Sequence, residues 1–303
     1  MKLTDLLNAG ADGDIAISAP SRASLNFLGL RQLVASTCKV LNDAGMGRND
    51  RVAIVLPNGP EMASCYLACA CAVTSAPLNP AYRVEEFEFY LDDLQACALI
   101  IEKGSNSPAV AAAQKLGIRT IELSVPEGAC AGQFTLAAGE AAHCDHGGHA
   151  SANDVAMILH TSGTTSKPKR VPLTVDNLGA SAKHIAATLQ FTTPDVGLNI
   201  MPLFHIHGLI AGLLAPLSAG SSVFCTPGST PCAFSNGWKR PNPRGTPLCL
   251  RCTWPSPHAP STICRPSLDT PCVSYARRHR RFRLNSSNRL SSCSKRPWWS
   301  LTV

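Results

Sequence analysis

The chain has 303 residues, 45% of them hydrophobic and 16% charged. That length and apolar share suit one large or two ordinary globular domains, and with no apolar run of about eighteen residues a transmembrane helix is excluded. The net charge of +7 hides an asymmetry, because 13 of the 27 Lys and Arg but one of the 20 acids, Asp269, follow Gly228. A mildly acidic body therefore precedes a strongly basic tail, and the body sets the expectation of function.

The first residues, MKLTDLLNAGADGD, carry acids early and lack a continuous apolar core. No secretory signal is expected there. The 14 cysteines are accordingly expected in a reducing, cytoplasmic setting, without a disulfide framework.

RVAIVLP, residues 51–57, is a short β-branched apolar run and predicts a buried strand. Asn58-Gly59 turns the chain and Pro60 opens a helix over EMASCYLACACAV. Cys65, Cys69 and Cys71 inside it are expected to pack as small apolar residues. SAPLNP reads as a short strand, VEEFEFYLDDL as a helix, ACALIIE as a strand, SPAVAAAQKL as a helix and IRTIELSV as a strand. This β-α-β-α-β-α-β order predicts a mostly parallel, doubly wound sheet with helices on both faces.

Residues 126–149 read as a loose, solvated linker. Its HCDHGGH run offers His143, Cys144, His146 and His149, but the spacing matches no common zinc pattern and a Gly-rich loop holds ligands poorly. An apolar run, DVAMIL, then leads into HTSGTTSKPKRVPL. Thr174 is placed to cap a helix over residues 175–190. LNIMPLFHIHGLIAGLLAPLSAGSSVF predicts a strand, a His-bearing turn, an apolar helix and a further strand ending near Phe224.

The segment between Thr161 and Lys169 is no Walker A motif, since GxxxxGK[ST] is absent. It still has the ingredients of a polyphosphate grip. Gly163 lets backbone approach an anion closely. Thr161, Ser162, Thr164 and Thr165 supply hydroxyls, successive turn N–H groups can form an anion nest, and Lys169 supplies positive charge. The same composition also occurs in ordinary surface loops.

TSGTTSKPK resembles the phosphate loop of the AMP-forming acyl-CoA synthetases, the adenylate-forming superfamily, whose pattern is TSGTTGxPKG. PLFHIHGL, residues 202–209, looks like that family's His-bearing second marker, and RVAIVLPNGPE and APLNPAYRVEEFEFYLDD look like its N-terminal segments. The resemblance covers about residues 20 to 224. Ser166 in place of glycine, with VPLT and PLFHIHGL, is most similar to the oxalate–CoA ligase branch.

The resemblance implies that a carboxylate attacks the α-phosphate of ATP to give an acyl-adenylate and pyrophosphate, after which CoA displaces AMP. It implies ATP and Mg²⁺ as cofactors, CoA as co-substrate and a small carboxylic acid, such as oxalate or a fatty acid, as partner. Thr161, Ser162, Gly163, Thr164, Thr165 and Lys169 would hold the phosphates, with Thr165 beside Mg²⁺. His205 would be the catalytic histidine, and His205, His207 and Gly208 would line the acid pocket. A hydrogen-bonded core role is the alternative for both histidines. One position departs from the pattern: the last glycine of the family loop is Arg170 here. A positive φ there would strain arginine, and its side chain would either crowd the phosphates or add charge to them.

The tail, residues 226–303, is expected to form a low-order region apart from a partial adenylation domain, residues 1–225. It has ten prolines after Gly228 and no helical or strand period. SYARRHRRFRLNSSN interleaves Tyr275 and Phe282 with arginines as nucleic-acid-binding segments do, but the tail lacks a fold to position those charges. Reading from the third base of each codon permits TWYTAVP over residues 243–250, LRFIRSAS over 271–279 and KAPVVE over 294–300. These are family-like segments in the family's order, so the tail is expected to be out-of-frame sequence. The family's YGxTE motif, ribose-binding aspartate, hinge and catalytic lysine are then missing, and little turnover is expected. A family relationship permits a peroxisomal address, but Leu301-Thr302-Val303 is no SKL-type tripeptide.

Overall fold

Alternate residues of one strand enter two different cores, and this organises the molecule. Val52 and Ile54 of the strand Arg51–Val55 join one buried cluster, while Ala53 and Val55 join another. Side chains of a strand point alternately to opposite faces, so both faces of this sheet are covered. The computed structural model describes residues 2–161, 168–226, 250–252 and 263–264, the last two for their backbone alone.

A 3-10 helix, Leu3–Ala9, comes first, followed by β1 (Ile15–Ser18), β2 (Leu25–Asn26), α1 (Phe27–Asp43) and β3 (Arg51–Val55). Next are α2 (Pro60–Ala70), β4 (Thr74–Pro77), α3 (Val84–Leu94), β5 (Ala98–Glu102), α4 (Pro108–Lys115), β6 (Arg119–Ser124) and β7 (Thr135–Ala137). Then come β8 (Val155–Thr161), β9 (Lys169–Thr174), α5 (Val175–Leu189) and β10 (Val196–Asn199). A π-helix, His207–Leu214, runs into α6 (Ala215–Ser218) and is followed by β11 (Ser222–Cys225), β12 (Leu250–Cys252) and β13 (Ile263–Cys264).

The strands form two sheets. The first has the order β7-β6-β5-β3-β4-β8-β9, parallel from β6 to β8 and antiparallel at both edges. The second has the order β13-β12-β10-β11-β1-β2. The expected alternation of strands and helices from Arg51 to Ser124 is thus present, and with it the mostly parallel sheet. Cys65 and Cys69 in α2 and Cys71 just after it are fully buried, and burial first of all raises the Cys71 thiol. They pack rather than react.

Helix α1 escapes the strand-and-helix pattern drawn from residue 51 onward, although its signals are present. Asn26 caps it by accepting from Gly29 N–H at 2.8 Å, and Phe27, Leu30, Val34, Cys38 and Leu41 form its buried stripe.

One expectation needs correction. Residues 126–149 are not a loose linker. β7 pairs with β6, and the HCDHGGH stretch is fastened to the end of α1: Ala142 N–H donates to Asp43 O at 2.8 Å, Gly148 N–H to Asn42 Oδ1 at 2.6 Å and Arg48 N–H to His146 O at 2.9 Å. Gly47 makes this close approach possible, since a Cβ there would lie 2.4 Å from His146 O. No group of three His, Cys, Asp or Glu among the described residues could hold a metal ion. Two short strands are described beyond residue 226: β12 runs parallel to β10, and β13 antiparallel to β12. An edge strand offers unpaired backbone groups whatever its partner's side chains are, so pairing there needs no strand-like pattern.

Candidate functional site

β8 and β9 form a hairpin whose last register pair is Thr161 and Lys169. The strand Lys169–Thr174 is not among the elements read from the sequence, and it contains Pro172. β9 is the edge of its sheet, where proline is tolerated. β8 has a single ladder pair with β4, Ser75 with Met157. Two buried hydroxyls supplement it: Ser75 Oγ donates to Ala156 O at 2.8 Å, and Thr74 Oγ1 donates to Val155 O. At the other end of β9, Thr174 Oγ1 accepts from Asn177 N–H at 3.2 Å and starts α5, as its capping sequence predicts.

The hairpin stem therefore presents Thr161, half-buried, and Lys169, exposed, at the carboxyl end of a parallel strand. In open α/β sheets this is where ligands bind. Ser162, Gly163, Thr164 and Thr165 lie outside the described residues.

Arg170 resolves the question its sequence raises. It lies in extended β9 and is not among the residues with positive φ, so arginine is unstrained. Its guanidinium meets the end of α3. Nη1 donates to Asp93 O at 2.7 Å and Nε lies 3.3 Å from Asp93 Oδ2. His160, directly opposite Arg170 in the ladder, places Nε2 3.0 Å from the same carboxylate oxygen. The carboxylate only accepts, so the ring donates.

The second part of the site is the turn after β10. His205 is exposed there, with the Phe204 ring tilted against it at 4.5 Å between centroids. Its N–H donates to Pro202 O at 3.2 Å. His207 is half-buried at the start of the π-helix. Gly208 follows, and a Cβ on it would lie 2.6 Å from Pro202 O, so no side chain fits. The expected apolar helix is thus a π-helix, a rare form that is frequent at functional sites. Asn199, 2% exposed, explains why the glycines are needed. Its Nδ2 donates to Gly208 O at 3.0 Å, its Oδ1 accepts from Met201 N–H at 3.3 Å, and Gly212 packs directly on the amide.

Asn58 joins the two sheets at this end. It follows β3, accepts from Leu203 N–H at 2.9 Å through Oδ1 and donates through Nδ2 to Thr226 O at 3.1 Å. The carboxyl ends of β3, β10 and β11 meet at this one side chain. The sequence marks Asn58 only as a turn residue, Asn199 carries no local signal of a role, and Asp93 shows only as an acid near the end of a helix. Their partners are 145 and 77 residues away along the chain, at Leu203 and Arg170, or hidden in a buried turn.

Comparison with known proteins gives this arrangement its relatives. The family model described as AMP-binding enzyme matches residues 8–240. The chain belongs to the AMP-binding enzyme family. An Arabidopsis thaliana oxalate–CoA ligase is 39% identical over 213 residues, which is 69% of this chain and 41% of that protein. A Saccharomyces cerevisiae oxalate–CoA ligase is 35% identical over 210 residues, covering 62% of this chain and 39% of that one. Among solved structures, ATP-bound MatB from Rhodopseudomonas palustris superposes with a TM-score of 0.64 at 26% identity, over 77% of this chain and 46% of that chain. The chain thus spans about 40% of the length of these curated relatives. Its family match ends at residue 240, within the stretch where the basic tail begins. No helix among the described residues is long and apolar enough to cross a membrane.

Proposed function

We propose that the hairpin stem and the segment it closes grip ATP for the activation of a short carboxylic acid, oxalate being the first candidate. The observation that carries this reading is the Thr161–Lys169 pair at the carboxyl edge of the parallel sheet in an AMP-binding family chain. ATP and a carboxylate are both anionic, so catalysis rests on neutralising charge and aligning the two. Lys169 supplies a cation, while the hydroxyls of Thr161, Ser162, Thr164 and Thr165 and the open backbone at Gly163 supply donors to the phosphates. Mg²⁺ would neutralise phosphate charge beside Thr165. His205, exposed on its turn, donates to the acid's carboxylate, and His207 and Gly208 shape the acid side of the site. CoA is the acceptor of the activated acyl group.

These 303 residues hold no YGxTE segment in frame. We expect this chain to bind MgATP and to turn over little. The basic tail after about residue 226 is best explained as out-of-frame sequence, which transcript sequencing across codons 220 to 235 decides. Calorimetry with MgATP tests the grip. A measurable Kd that weakens about tenfold in Lys169→Ala, the loss of one charge-assisted contact, supports it. Absence of binding at millimolar MgATP refutes it. Pyrophosphate exchange with oxalate at a rate typical of a complete enzyme would refute the expected low turnover.

A further inference from the structure

Asp93 breaks a local rule. It stands in the last turn of α3, beside Asp92, where the helix dipole disfavours negative charge. Such a violation is expected to have its compensation elsewhere in the fold. Here both compensating groups come from the hairpin. The Arg170 guanidinium meets the Asp93 carboxylate and also its backbone carbonyl, one of the orphan acceptors at the helix end. The His160 side chain, 6% exposed, meets the same carboxylate and is held edge-on by the Tyr90 ring at 4.7 Å, which in turn stacks on Tyr82 at 4.8 Å. The sequence neighbours of these two residues, Thr161 and Lys169, form the last register pair of the stem.

We propose that Asp93 is a positioning residue. Through His160 and Arg170 it fixes the lateral position of the Thr161–Lys169 stem against α3, and so the direction in which both residues are presented. The proposal rests on the ATP reading for its consequence, but not for its geometry. It also assigns a task to Arg170, which a glycine at that position could not perform. Successive residues of a strand face opposite ways, so Arg170 turned to α3 leaves Lys169 directed away from the clamp. The arginine anchors the grip from behind rather than entering it.

Hydrogen exchange on the full chain tests this, with MgATP binding measured alongside. Asp93→Asn is expected to speed exchange about tenfold in peptides covering residues 158–174 and to leave residues 51–55 and 98–102 unchanged. It is also expected to weaken MgATP about tenfold. Asp93→Glu, which keeps the charge, should recover most of both effects. Arg170→Gly provides a second route if Asp93→Asn fails to fold, and it should loosen the same peptides. Unchanged exchange in residues 158–174 overturns the proposal, and so does a uniform rise across all strands. A wild-type chain with no affinity for MgATP, but with a hairpin that still responds to Asp93→Asn, supports the clamp and overturns only the ATP reading.

Discussion

The two parts of the candidate site are held in place by opposite kinds of chemistry. The hairpin stem is fixed from its flank by charges that water still reaches: the Arg170 and Asp93 side chains are 45% and 29% exposed. The His205 turn is fixed from beneath by neutral amides, Asn199 at 2% exposure and the half-buried Asn58. Exposed ion pairs contribute little and respond to salt, whereas a buried amide leaves unsatisfied partners when it is removed. The turn should therefore fail through loss of folding, and the stem through loss of alignment.

The largest effect is expected at Asn199 and the glycine that packs on it. Asn199→Ala leaves the Gly208 carbonyl and the Met201 N–H without their partner, and should cost about 3 kcal/mol in urea unfolding. Gly212→Val should be at least as damaging, since a Cβ there would sit 2.7 Å from Asn199 Oδ1. If either variant lost less than about 1 kcal/mol, the buried amide would not be what holds the turn.

Asn58→Ala is expected to have a middling effect. Two part-buried hydrogen bonds are removed, at about 1 kcal/mol each. The specific signature is local: proteolysis near residues 200–208 should accelerate more than at the hairpin. Equal acceleration at both places would show that Asn58 supports the whole edge rather than the turn.

The contrast also explains what could be read in advance. The βα alternation from Arg51 to Ser124 was legible because burial on both faces leaves continuous apolar runs such as VAIV and LII, and Pro60 and Pro108 mark helix starts. Thr161, Lys169 and His205 stood out as candidates through their motifs alone. The hairpin strand did not, because an edge strand tolerates Pro172 and carries little periodic signal. The clamp was hidden for another reason. Compared only with a glycine in the family pattern, Arg170 left strain, crowding and added charge all open. Its meaning depends on Asp93, 77 residues earlier, which sequence spacing does not bring near.

The smallest effect separates charged from neutral support by pH. Asp154, just before β8, is 16% exposed in its side chain, beside Arg48. Burial pushes its carboxyl up, but the Ser151 N–H, the Asn49 amide and the Arg48 guanidinium together hold it below the usual value. A carboxyl lowered on folding adds stability above its unfolded pKa, near 4, and loses it as pH falls through the lower folded value. Between pH 5 and pH 3 wild type should lose a few tenths of a kcal/mol that Asp154→Asn does not lose, a modest figure because solvent screens the pair. The penalty of Asn58→Ala should be the same at both pH values, since no amide titrates there. A pH-dependent Asn58 penalty would mean that the turn relies on charge as the stem does, and the division between the two parts of the site would fall.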